Sequence, residues 1–109
     1  MVVGDVYALV ARRAEASELM RESQDRARSQ PGCIGYSFAE VVGDPGHYVV
    51  VEEWSDDEAL AAHFASDAFT DYQRRVSDLL ATPSEVRIHH VSQTTNPVDS
   101  SPMDPRKAD

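Results

Sequence analysis

Apolar and polar positions along the first ninety residues follow two rhythms, one of two and one of three to four, separated by short punctuated stretches. The run Val6 to Ala11 is apolar on both faces and rich in β-formers, which predicts a first strand covered on both sides. From about Ala14 to Ser29 the spacing of Ala16, Leu19, Ser23 and Ala27 predicts a helix with its charged residues outward. Pro31-Gly32 stops it. Cys33 to Val42 then alternates, with Ile34, Tyr36 and Phe38 on one side and Cys33, Gly35, Ser37 and Ala39 on the other. Gly43-Asp44-Pro45-Gly46 has the composition of a tight turn, and His47 to Trp54 is again β-rich, so residues 33–54 read as a hairpin.

Ser55-Asp56-Asp57-Glu58 opens the next helix: Ser55 suits the N-cap, Glu58 completes a capping box, and the acids favour the positive helix end. Its inward stripe holds Leu60, His63 and Phe64. Ser66-Asp67 marks a second start, with Phe69, Tyr72, Val76 and Leu79/Leu80 inward as far as about Ala81. After Thr82-Pro83, Glu85 to Ser92 alternates as a last strand. Gln93 to Asp109 holds three of the six prolines and no aromatic residue, the composition of a flexible tail. The order β-α-β-β-α-β over residues 1–92 predicts an α+β, ferredoxin-like antiparallel sheet of four strands with helices on one face. Strands apolar on both sides leave the other face uncovered, and a homodimer packed sheet to sheet is the simplest cover.

At 109 residues, 41% apolar and 27% charged, the chain has the size and balance of one folded domain. Its formal charge of −9 lies mostly outside the tail and argues against nucleic acid or an anionic membrane as partner. No apolar run approaches the roughly 20 residues of a membrane helix. An N-terminus without basic residues and with Asp5 predicts no secretory signal, and hence a cytoplasmic protein. The lone Cys33 excludes an internal disulfide.

Three segments carry a resemblance in order: Pro31-Gly32-Cys33-Ile34-Gly35-Tyr36, then Val51-Glu52-Glu53-Trp54-Ser55, then Glu58-Ala59-Leu60-Ala61-Ala62-His63-Phe64. Together they resemble the antibiotic biosynthesis monooxygenase family, whose members typically show a P-G-C-x-x-Y segment, an E-x-W strand end and a helix ending in A-x-x-H. The likeness extends over about residues 5–92. It implies a dimeric α+β barrel with a pocket between sheet and helices in each subunit. Relatives include cofactor-free monooxygenases of aromatic polyketides and quinols, haem-degrading enzymes and an isomerase of a phosphorylated sugar, so the fold alone does not fix the reaction. Two departures stand out. The link Arg12-Arg13-Ala14-Glu15 is short, and the stretch Phe69 to Leu80 has Gln73 where haem-degrading members carry an axial histidine, which speaks against haem.

Oxygenation without a metal or flavin asks the protein for a dry aromatic pocket, a base for a phenolic proton and donors for the developing anion. His63, inward and with an ordinary pKa near 6.5, is the candidate base, its alternative a structural histidine bonded to the sheet or to Glu52. Trp54 and Tyr72 join it as candidate catalytic side chains, and Tyr36, Phe38, Glu52, Phe64 and Phe69 as candidate substrate-binding ones. For each aromatic residue, plain core packing is the competing reading. His47, His89 and His90 lack metal-ligand spacing, and adjacent strand residues point to opposite faces, so no metal is expected. Cys33 reads as packing. The expectation is a cofactor-independent monooxygenase acting with molecular oxygen on a small aromatic substrate, a quinol or polycyclic phenol. A non-catalytic binding protein is its first rival. An isomerase of a sugar phosphate is a weaker one, because the only lysine is Lys107.

Overall fold

The computed structural model describes residues 1–98. Strands β1 (Val2–Tyr7), β2 (Cys33–Glu40), β3 (His47–Trp54) and β4 (Glu85–Ile88) form one sheet in the order β2-β3-β1-β4. Every pairing is antiparallel. Helices α1 (Arg13–Arg28), α2 (Asp57–Phe64) and α3 (Asp67–Val76) cover one face. This is the ferredoxin-like α+β architecture that the element order predicts.

The first strand lies earlier than the apolar run suggests. Val2, Gly4 and Val6 point under the helices while Val3, Asp5 and Tyr7 face outward, so β1 alternates and ends where the run begins. Val10–Arg12 instead makes a single 3₁₀ turn into α1, which fits the short link into that helix. Leu9 and Val10 are exposed there.

On α1, the foreseen stripe Ala16, Leu19, Ser23 and Ala27 is buried, together with Met20. Ser17 and the backbone of Arg13 hold the hydroxyl of Tyr48. Arg26 and Arg75 bridge α1 and α3 through Asp71 and Glu22.

The hairpin corrects one expectation. A bulge between Cys33 and Gly35 inserts one residue opposite the partner strand. Cys33 therefore shares the helix-covered face with its partner Trp54, and Ile34 turns out to solvent at 66% exposure. Tyr36 and Phe38 remain inward. The cap of α2 is likewise Asp56, which accepts from the Ala59 N–H, and not Ser55. Ser66 caps α3 as foreseen, accepting from the Phe69 N–H. That helix ends at Val76 and continues as a 3₁₀ turn, Ser77–Leu79.

The last strand is only four residues long. Residues 89–98 carry no regular strand or helix and are exposed, and the rest of the foreseen tail lies outside the described residues. On the uncovered sheet face, Val3 pairs with Val51, which is 40% exposed.

Candidate active site

Between the sheet and α3 lies a cavity of about 310 Å³. Its floor comes from alternation: Val6 on β1, Tyr36 and Phe38 on β2, and Val50 and Glu52 on β3 all face the helices. The roof comes from the strongly amphipathic α3, which turns Phe69, Tyr72 and Val76 inward, with Phe64 at the end of α2. Gln73, Ser77, Ser84 and Val86 form an exposed rim.

All five side chains expected to bind substrate, Tyr36, Phe38, Glu52, Phe64 and Phe69, are on this wall, as is Tyr72. His63 and Trp54 are not. The expectation that the His63 imidazole faces the void is not met, for a physical reason. Trp54 stacks on the ring at 4.6 Å between centroids, and Tyr36, Phe64 and Phe69 pack around it at 5.1 to 5.5 Å. The helical stripe correctly turned His63 inward, but it led into aromatic packing behind Glu52. His63 borders only a separate open groove between the Gln30–Gly32 turn and α2.

Glu52 is the group that reaches the cavity. Its carboxylate is 3% exposed and accepts one bond, from the Trp54 Nε1–H at 3.1 Å. Burial, partly offset by that bond, lifts its pKa to about 6. Burial likewise lowers His63 to about 4. Tyr36 and Tyr72 are pushed well above the ordinary phenol value, first by burial and then by the nearby Glu52 charge. Both therefore stay protonated and keep an O–H to donate. The Tyr72 hydroxyl is buried without a hydrogen-bond partner, so it has a donor to spare. The arrangement can do three things: hold a flat apolar molecule, take a proton at Glu52, and donate to an oxyanion from Tyr72.

Gln30 and Ser66, which hold His63 from behind, gave no signal in the sequence beyond the cap position of Ser66. The rim residues Ser77 and Ser84 fall where the last helix and strand are irregular and follow neither period. No group of three or more His, Cys, Asp or Glu side chains suited to a metal occurs among the described residues. The Cys33 thiol is pushed up by burial, away from the reactive thiolate.

Known proteins with similar sequences and folds supply the context. The sequence profile of the antibiotic biosynthesis monooxygenase domain matches residues 2–75. The uncharacterized protein sll1783 of Synechocystis is 31% identical over 94 residues, which are 86% of this chain and 64% of that relative's own length. YcnE of Bacillus subtilis, provisionally described as a monooxygenase, is 27% identical over 79% of this chain and 93% of its own. A solved structure from Deinococcus radiodurans, described in similarly provisional terms as an antibiotic biosynthesis monooxygenase, superposes with a TM-score of 0.82 at 23% identity. The match covers 88% of this chain and 97% of that one. Another, from Nitrosomonas europaea, gives 0.79 at 17% identity over 84% and 97%. At these identities the two structures establish the fold.

Proposed function

The chain belongs to the antibiotic biosynthesis monooxygenase family, and we propose that it is a small monooxygenase that oxidises a quinol or polycyclic phenol with molecular oxygen, without metal or organic cofactor. The observation that carries this reading is a single raised carboxyl, Glu52, on the wall of an otherwise aromatic and aliphatic cavity. The volume stands at the small end of the roughly 300–1,000 Å³ range of ligand pockets, which favours a one- or two-ring quinol over a larger polycycle.

Glu52 takes the first phenolic proton, and Tyr72 donates to the anion that forms. The electron-rich quinolate then reduces oxygen, forming a carbon–oxygen bond to give a peroxide anion on the ring. Glu52 returns its proton to the distal peroxide oxygen, giving the hydroperoxide. Loss of the ring C–H proton at that carbon then breaks the oxygen–oxygen bond, the distal oxygen leaves with that proton as water, and the hydroxyquinone forms. The quinol thus supplies all four electrons: one oxygen atom stays in the product and the other becomes water. Dry, fixed surroundings matter because the anion is stabilised by oriented donors and not by solvent.

The test is oxygen uptake with a panel of benzoquinols, naphthoquinols and anthrones. Wild-type protein is expected to exceed the uncatalysed rate and to keep that excess after dialysis against a chelator. Glu52→Gln is expected to lower turnover at least about 100-fold, the usual scale for a general base. Uptake unchanged by Glu52→Gln removes the base from the reading. A ligand-induced thermal shift with no uptake points instead to a binding protein.

A further inference from the structure

Ser66 fixes more than the start of α3. Its Oγ donates to the His63 carbonyl at 2.6 Å and accepts from the Phe69 N–H. With its single proton committed, Ser66 Oγ can only accept from Gln30, whose Nε2 lies 3.3 Å away. Gln30 is thereby oriented with Oε1 toward His63, 2.7 Å from Nδ1. A carboxamide oxygen cannot donate, so Nδ1 carries the proton and the neutral ring keeps its lone pair on Nε2.

That nitrogen is buried without a hydrogen-bond partner. It lies 3.6 Å from Glu52 Oε1. Two lone pairs so placed in a dry site repel unless a proton lies on one of them. The remaining groups around the pair do not supply it. The Trp54 N–H is already given to Oε1, Tyr36 and Cys33 on β2 and Tyr72 on α3 are neutral, and Gln30 is uncharged. The Met1 ammonium donates to the His89 carbonyl and favours the Glu52 charge only weakly.

We propose that Glu52 and His63 hold one proton between them, so that the pair, and not the carboxylate alone, is the acid–base unit of the cavity. The catalytic part of this inference rests on the monooxygenase reading; the shared proton does not. Glu52 faces the substrate. His63 is a positioning residue that does not line the cavity and acts through Glu52, taking its proton on Nε2. The proton moves from Oε1 to Nε2, leaving carboxylate and imidazolium, and returns by the same route. Because His63 also borders the groove at Gln30 and Ser66, the pair lies between the cavity and a second, separate surface. The low affinity of His63 alone and the raised affinity of Glu52 both follow from burial, and both favour the net-neutral pair.

The test is a pH titration of the intact protein by NMR, reading the imidazole ¹⁵N shifts and the glutamate ¹³Cδ shifts. His63 is identified by difference against single replacements of the exposed His89 and His90 and of His47. The expected result is the Nδ1–H tautomer of His63, with Nε2 and the Glu52 ¹³Cδ moving together at one midpoint, and loss of that Nε2 step in Glu52→Gln. An Nε2–H tautomer, independent midpoints, or a His63 curve unchanged by Glu52→Gln overturns the proposal. The two readings separate cleanly. Joint titration without oxygen uptake supports the pair and sinks the monooxygenase. Glu52-dependent uptake with independent titrations supports the monooxygenase and sinks the pair.

Discussion

Burying a carboxylate such as Glu52 sets chemistry against stability. Burial raises its pKa from 4.5 to about 6, so the folded protein binds this proton more tightly than the unfolded chain does. Folding stability then falls as pH rises from about 4 to about 7, by about 2 kcal/mol for that shift. Glu52→Gln keeps the acceptor for Trp54 and removes the buried charge. It is expected to raise the thermal midpoint at pH 7 and to flatten the dependence below it, as read by calorimetry across that range. Side chains of this kind were only partly legible in the sequence. Alternation and helical spacing put Tyr36, Phe38, Glu52, His63 and Tyr72 on inward faces, and they are inward. Neither period says which inward side chain meets a void, because that depends on how α2 and α3 lie over the sheet. Spacing alone thus turns His63 toward the cavity although Trp54 covers it, and it does not distinguish the cavity-facing carboxyl of Glu52 from the neutral side chains beside it.

Segments are more legible in the sequence than their ends. Strand ends depend on pairing: β1 begins at Val2 because β3 and β4 both reach it there, which the run Val6 to Ala11 could not reveal. The bulge at Ile34 is invisible to a period-two count for the same reason. Gly32 shows how one junction holds α2 in place. It has φ +82°, and a Cβ would stand 2.4 Å from that of Ala59 and 2.8 Å from Ser55 Oγ. Gly32→Ala is expected to cost about 1–3 kcal/mol in urea unfolding, and adding Ala59→Gly should recover only the steric part. Across the sheet, His47 bonds Asp5 through Nε2 at 2.7 Å and Asp44 through Nδ1 at 2.9 Å, while Arg87 holds the other Asp5 oxygen. The bond to Asp5, more than that to Asp44, raises the His47 pKa. A raised histidine stabilises fully below its unfolded value, near 6.5, and loses that contribution as pH climbs through the higher folded one. The midpoint should therefore fall as pH rises above about 6.5, and His47→Gln should remove that fall.

Taken together, four strands and one layer of helices leave Val3, Val49 and Val51 with no cover of their own on the outer sheet face. The homodimer foreseen from the two-sided strands is the proposal that covers them. Sedimentation at micromolar concentration should give twice the mass of the 12.0 kDa chain, and Val51→Glu, which sets a charge into that face, should return it to the single mass. Among the described residues no helix is long and apolar enough to cross a membrane.

The match to the family stops at residue 75, while Ser77, Leu80, Ser84 and Val86 still border the cavity. That side of the opening is built by the exposed, irregular stretch after α3. Exchanging residues 76–88 between relatives is therefore expected to move selectivity toward molecules of a different outline while leaving Glu52 in place.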